Sequence, residues 1–361
     1  MLPDNSKPAK YHAIGYVSNG GGFPLVEFER DVPIPKPDEI LIKVIGSSLN
    51  PLEFKLAELN FFGNQPPVAL GFDVSGVVIA VGIDVTAFHI GDSVVAMADC
   101  NGNGGWAGRG GGGYAVAREF LAAKKPDSVS FTEAGVLPIC FLAAFLGLYD
   151  HVKSGDVVYI PGGGGGVGHL AIQIAARALG AALVISSGST PESKALLAAS
   201  GADSIIDYKA EDATARVIEI TSGRGADIVF DPTYSEESYV ASAKAVRNGG
   251  KWIVLGVGPG RTSRTKITHS PVDEILAEKG AMHINANVLT YFSNGYVFDE
   301  AAKANFRMAM EASMRWHTEN KVRPTVSKEI RSSVDEINAG LTELKKASGL
   351  HGKIAVNVAH S

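Results

Sequence analysis

Short apolar runs bounded by Gly, Pro or Asp fill the first third of the chain: "EILIKVIGSSLN" (39–50), "VSGVVIAVG" (74–82) and "DSVVAMA" (92–98). Their β-branched content predicts strands. Between them "PLEFKLAELNFFG" (51–63) repeats apolar residues at helical spacing and is followed by Pro66 and Pro67, which predicts a short helix and then a loop. From about Ser154 the rhythm changes. "DVVYIPG", "ALVISSG", "DSIIDY", "ADIVFDP" and "KWIVLGVG" read as strands, and amphipathic stretches such as "GHLAIQIAARALGA" and "PESKALLAASGA" alternate with them. The alternation predicts βαβ units, hence a parallel sheet covered on both faces, with its strand C-termini along one ligand-binding edge. The tail differs again. Residues 299–320 and 332–347 read as amphipathic helices, the second with Ser333 as N-cap, and "GKIAVNVA" (352–359) reads as a strand. A β-rich start, a βαβ middle and a returning tail predict one discontinuous domain with a second inserted in it.

Composition narrows the class. At 361 residues, two domains with a real core are expected without disulfides or metals. The 33 basic and 38 acidic side chains leave a net charge of −5, so neither nucleic acid nor an anionic membrane is expected as main partner. Hydrophobic residues at 45% exclude a disordered chain. Two cysteines, Cys100 and Cys140, exclude a disulfide framework and fit a reducing compartment. The opening residues lack the apolar core of a secretory signal, and a cytoplasmic protein is expected. "AGVLPICFLAAFLGLY" (134–149) is short for a membrane span and carries Pro138, so it reads as a buried helix. Eight glycines fall in 102–113, around Trp106 and Arg109. That stretch reads either as a flexible surface loop or as a lid beside an active site.

The strongest chemical signal is "VVYIPGGGGGVGHLAIQIA". Gly163-x-Gly165-x-x-Gly168 stands directly between a strand and a helix, the context a dinucleotide fingerprint requires. Glycine permits the turn and a close backbone approach to a pyrophosphate, and the amides of the helix start face its charge. After the second strand come Ser186, Ser187, Gly188 and Ser189, then Lys194, with no acidic residue for a ribose hydroxyl. Hydroxyls and an ammonium suit a 2′-phosphate, so the cofactor expected is NADPH. Lys194 reads equally as a solvated helix lysine. No G-x-S-x-G elbow or P-loop is present.

Four stretches, "SSLNPLEFK" (47–55), "GFDVSGVVIAVGIDVTAFHIGDSVVA" (71–96), "GGGGGVGHLAIQIAARALGA" (162–181) and "ASGADSIIDY" (199–208), together resemble the medium-chain dehydrogenase/reductase superfamily over nearly the whole chain. The resemblance implies an α/β protein with a GroES-like catalytic domain, residues 1–134 and 294–361, around a Rossmann domain, residues 135–293. Zinc-dependent members carry ligands where this chain has Asn50, the Phe72–Asp73 pair and a position near Ile139; one thiol, Cys140, cannot make a zinc site. Cys140 reads as a small core residue. "NPLEFK" is similar to the zinc-free quinone oxidoreductases, so no metal is expected. That branch implies Asn50 at the nicotinamide and the substrate carbonyl, with Lys55, Phe61 and Phe62 near the pocket. It implies cofactor contacts at Gly165, Gly166, Val167 and Tyr208, extended to Gly256, Asn287 and Lys353. Asn50 reads about equally as a hydrogen-bond donor to the substrate and as a loop-shaping residue before Pro51. Water, or Tyr114 if its loop closes, would supply the proton. The implied activity is NADPH-dependent quinone reduction; an alkenal or enoyl reductase and a non-catalytic, crystallin-like NADPH-binding protein are the alternatives. The apolar run 281–292 reads as an edge strand pairing across a homodimer two-fold.

Overall fold

The apolar runs of the first third do form strands, and most of their length is buried. The structure, a computed structural model, describes residues 10–255, 270–286, 288, 296–346 and 350–359. Strands β1 (Lys10–Tyr16) and β2 (Val26–Asp31) precede β3 (Glu39–Ser48), helix α1 (Pro51–Leu59), β4 (Val68–Ala69), β5 (Asp73–Val81), β6 (Ser93–Met97), β7 (Gly113–Arg118) and β8 (Ala122–Lys124). β3 pairs antiparallel with β5 and with β7, and β5 leads through β6 to β8. β1, β2 and β4 form a separate small antiparallel sheet. The apolar pattern marks β3, β5 and β6 but passes over β1, β2, β7 and β8, which are short or carry polar residues.

Helices α2 (Phe131–Gly135) and α3 (Pro138–Leu148) lead into the alternating middle. It runs β9 (Val157–Ile160), α4 (Gly166–Gln173), β10 (Leu183–Ser187), α5 (Pro191–Ser200), β11 (Ser204–Ile206), α6 (Ala213–Ile220), β12 (Ala226–Asp231), α7 (Glu236–Ala245), β13 (Val246–Val254), α8 (Ser270–Glu278) and β14 (Met282–Asn285). These six strands pair in parallel in the order β11-β10-β9-β12-β13-β14. In sequence order that is 3-2-1-4-5-6, the doubly wound arrangement, with its ligand crevice where the order reverses between β9 and β12. The tail adds α9 (Glu300–Thr318), β15 (Val326–Arg331), α10 (Val334–Lys346) and β16 (Lys353–Asn357). β16 lies antiparallel to β3 and parallel to β15, so both ends of the chain build one sheet around the inserted parallel one. α3 is buried, as its sequence predicts, and no helix among the described residues is long and apolar enough to cross a membrane.

Most of the glycine-rich stretch 102–113 packs into the domain, and only residues 109–112 form a turn at the surface. Trp106 is fully buried, donates its indole N–H to Ser47 Oγ at 2.9 Å, and joins β1 to the segment before β5 through Ile14 and Leu70 backbone bonds. Arg30 donates to the Gly102 carbonyl and to Asn103 Oδ1, and Arg109 pairs with Glu27 at 2.9 Å. The glycines allow the backbone to pack inside the domain: a Cβ at Gly104 would lie 2.3 Å from the Leu70 carbonyl carbon.

Two buried polar side chains of α4 hold the halves together. Gln173 exchanges hydrogen bonds with the Arg323 backbone, at 2.9 and 2.8 Å. His169 Nε2 accepts from the Thr325 N–H at 3.1 Å, so Nδ1 carries the proton and donates to the Gly165 carbonyl at 2.9 Å. Burial lowers the His169 pKa to about 4. The neutral ring is therefore built into the fold. Below pH ~6.5 the unfolded chain takes up a proton that the folded chain refuses, so stability is full above that pH and falls toward pH 4, by roughly 3 kcal/mol for this group. Urea unfolding from pH 7 to 4 should show that loss, and His169→Gln should flatten it. An unchanged slope in the variant would remove His169 as its cause.

Candidate functional site

β9 ends at the crevice, and the glycine run turns there into α4. A Cβ at Gly163 would lie 2.2 Å from Ser186 Oγ, and one at Gly168 would lie 2.7 Å from the Gly163 Cα, so these two glycines let helix and strand pack closely. A Cβ at Gly165 would meet only the Gly162 carbonyl, at 3.7 Å, which leaves space on its open side. Gly165 is the N-cap of α4 and no side chain caps that end. Backbone amides over open space at a helix start fit the pyrophosphate of a dinucleotide.

Beside this turn lies a buried polar cluster. Asp73, fully buried, accepts from Ser48 Oγ at 2.5 Å, the Ile139 N–H at 2.7 Å, Asn50 Nδ2 at 2.8 Å and Lys353 Nζ at 3.2 Å. The Lys353 ammonium also donates to Asn50 Oδ1 at 2.5 Å and to the Leu49 carbonyl at 3.1 Å. Its three acceptors are thus all protein groups, and only its stem leans on Gly166. Sequence reading places Lys353 at the cofactor; the structure sets it in the lining of the cleft that also holds the glycine turn, with its charge on Asp73 and Asn50. Burial opposes that charge, but Cys140, Asp73 and Glu53 outweigh it and raise the Lys353 pKa. Glu53 accepts from the Asn50 N–H at 2.9 Å; burial, with help from the Asp73 charge, pushes its carboxyl up to about 8. Burial likewise raises the Cys140 thiol, 3.7 Å from Asn50 Oδ1. Among the described residues no group of three His, Cys, Asp or Glu side chains is arranged to hold a metal ion.

The cleft between the two sheets has a volume of about 270 Å³. Asn50, Lys55, Phe61 and Cys140 line one wall, and Gly165, Gly166, Val167 and Gly168 line another. Pro232, Thr233 and Tyr234, directly after β12, also face it. The structure thus brings Asn50, Lys55, Phe61 and the glycine turn together. Phe62 stands behind Phe61, buried, with ring centroids 4.7 Å apart in an edge contact. Tyr114 is not among the lining residues: it is buried on β7 with its ring 5.2 Å from Tyr11. Tyr234 and Thr233 escaped the sequence reading. Their signal was position, since the residues after a central parallel strand face the crevice. Lys55 places its ammonium 4.7 Å from the centroid of the Tyr234 ring.

Farther along the edge, Ser187 Oγ accepts from the Gly162 N–H at 3.2 Å and Ser189 Oγ donates to Tyr208 Oη at 3.1 Å. A Cβ at Gly188 would lie 2.5 Å from Ser193 Oγ. Lys194 pairs with Asp207 at 2.7 Å, and that hydrogen bond lowers the Asp207 pKa. The second strand brings no acidic residue here, but the third does. Gly256 and Asn287 lie outside the described residues.

Removing one partner of the buried pair should be costly. Lys353→Met leaves the Asp73 charge uncompensated and should cost about 3–5 kcal/mol. Adding Asp73→Asn should recover part of that loss in urea unfolding. A double variant no more stable than the single one would contradict the coupling.

Comparison with known proteins agrees with this geometry. The family model described as the alcohol dehydrogenase GroES-like domain matches residues 36–127, and that described as zinc-binding dehydrogenase matches 166–294. The 2-methylene-furan-3-one reductase of Solanum lycopersicum is 34% identical over 69% of this chain and 63% of its own length. The NADPH-dependent alkenal/one oxidoreductase, chloroplastic, of Arabidopsis thaliana is 33% identical over 71% of this chain and 65% of its own length. The match therefore spans less than two thirds of either relative. The chloroplast envelope quinone oxidoreductase homolog of Arabidopsis thaliana is 32% identical over 63% of this chain and 73% of its own length. Among solved structures, the quinone oxidoreductase from Coxiella burnetii superimposes with a TM-score of 0.75 at 27% identity, covering 97% of this chain and 99% of that one.

Proposed function

The chain belongs to the medium-chain dehydrogenase/reductase superfamily, in its zinc-independent quinone oxidoreductase branch, and from that premise we propose that it reduces quinones with NADPH. One observation carries the reading: Asn50 and Asp73, which the resemblance sets at or beside zinc-ligand positions of metal-dependent members, are joined by Lys353 into a complete ion pair beside the glycine turn. A reduced nicotinamide, when bound, supplies the hydride. Asn50 gives one amide proton to Asp73 and retains a second to offer an acceptor oxygen as charge develops on it. Its orientation is fixed by Lys353 and Asp73, so the donor needs no rearrangement. Lys55 adds positive potential from the same wall. A quinone is already electrophilic, so this donor set suffices to polarise it. With Tyr114 on β7 away from the cleft, water is the proton source in this reading. The relative named as an alkenal/one oxidoreductase favours conjugated carbonyls as a second acceptor class. NADPH oxidation followed by absorbance with a quinone and with an alkenal tests both. Binding of NADPH with no turnover of either would favour the non-catalytic alternative.

NADPH rather than NADH fits Ser187, Lys194 and Tyr208 at the adenosine end. Lys194→Ala should weaken NADPH relative to NADH by about 10- to 150-fold, the worth of one charge-assisted contact. Asp207→Asn should shift the preference further toward NADPH, because it frees Lys194 from its carboxylate. Fluorescence titration of both nucleotides checks this, and equal losses for both in Lys194→Ala would remove that residue from the phosphate site.

The reading includes a cytoplasmic homodimer. Among the described residues β14 is the edge of the parallel sheet and Met282 on it is exposed, which fits edge pairing across a two-fold axis, while residues 287 and 289–292 of the expected edge run lie outside the described residues. Light scattering at micromolar concentration should give twice the chain mass; the chain mass itself would contradict pairing.

A further inference from the structure

Tyr234 holds a backbone conformation that its side chain disfavours. Its φ is +53°, in the left-handed region that glycine enters without strain and an aromatic residue rarely does. Such strain persists where the side chain serves a purpose, and clusters at ligand clamps. Here the backbone turns directly after β12 so that the ring enters the cleft from the parallel-sheet side. Across the cleft, Lys55 of α1 sets its ammonium 4.7 Å from the ring centroid. The phenol hydroxyl is directed to the Leu255 carbonyl, at the end of the neighbouring strand, at 3.5 Å. The ring is thus held on one side by α1 and on the other by the end of β13. The cavity it borders is about 270 Å³, just under the ~300–1,000 Å³ of sites that enclose drug-sized ligands.

We propose that Tyr234 is the specificity-determining residue of the cleft: its ring, braced by Lys55, is a size filter that admits single-ring or short conjugated carbonyl acceptors and excludes fused-ring ones. The inference rests on the acceptor-reductase reading and names the acceptor class that this site takes. The filter is the ring, not the turn. Tyr234→Phe keeps the ring over Lys55. Tyr234→Ala and Tyr234→Gly both remove it, while only glycine also relaxes the left-handed backbone.

The test measures binding, so it does not depend on turnover. Wild type and the three variants, saturated with NADP⁺, are titrated with tetramethyl-1,4-benzoquinone and with 9,10-phenanthrenequinone by quenching of intrinsic fluorescence. The ratio of the two dissociation constants should move by about tenfold or more toward the fused-ring quinone in both Tyr234→Ala and Tyr234→Gly, the usual scale of steric discrimination in an apolar site. It should stay within about twofold in Tyr234→Phe, an aromatic replacement of nearly equal volume. If Tyr234→Gly does not fold, Tyr234→Ala carries the comparison. An unchanged ratio in Tyr234→Ala, a shift confined to glycine, or no quinone binding to wild type would overturn the proposal. NADPH oxidation by wild type is followed in parallel. A binding ratio that shifts as expected in an enzyme that oxidises no NADPH would leave the filter standing and sink the reductase reading.

Discussion

One buried ammonium organises this protein. Lys353 stands at the start of β16, and its charge is taken up by Asp73 at the start of β5, by Asn50 ahead of α1 and by the Leu49 carbonyl. The same Asp73 receives the first free amide of α3, from Ile139. Four elements from both ends of the chain therefore meet at a single ion pair. Ion pairs so deeply buried add little net stability over an apolar replacement, since desolvation offsets their attraction. What this pair does is forbid alternatives: any register in which β16 misses β3 leaves a carboxylate buried alone.

That constraint also sets the chemistry available at the cleft. Where related enzymes bring a metal to a carbonyl oxygen, this chain presents an amide whose carbonyl end is pinned by a cation and whose amino end is pinned by an anion. The field at the cleft is then made of fixed dipoles rather than a mobile ion. Fixed dipoles stabilise developing charge without reorganising, but they polarise a carbonyl less than a metal does. An arrangement of this kind suits acceptors that are electrophilic already. The glycine turn leans on the same group, since Gly166 lies against the Lys353 stem and the Cys140 sulfur.

Much of the architecture was legible because it is periodic or positional. The βαβ rhythm from 154 onward, the glycine turn and the returning tail each depend on local pattern, and each formed as read. What was not legible depends on juxtaposition. Lys194 on α5 and Asp207 after β11 are 13 residues apart and become an ion pair only through the parallel register of β10 and β11. Asp73 read as a departure from a metal-binding pattern; its four donors come from segments that no spacing rule connects. Trp106 was hidden by its glycines, which signal flexibility in sequence yet here let a backbone enter the core. Tyr234 could not be read as a turn residue, because aromatic residues seldom adopt left-handed geometry. Tyr114 was placed by its nearness in sequence to a loop, whereas β7 carries it elsewhere.

Closure of the first sheet by the last strand has a consequence for the life of the nascent chain. Lys353 and Asp73 are 280 residues apart. At ~5–20 residues per second, a ribosome separates their emergence by roughly 15–60 s. Over that interval the early half can pair β3, β5, β6, β7 and β8, but the end of β3 that receives β16 remains an open edge and Asp73 has no counter-charge. The inserted parallel sheet, by contrast, is contiguous in sequence and can complete itself before the tail arrives. The sheet that carries the glycine turn is thus finished first, and the cleft beside it gains Lys353, and with it the counter-charge of Asp73, only when translation is nearly over.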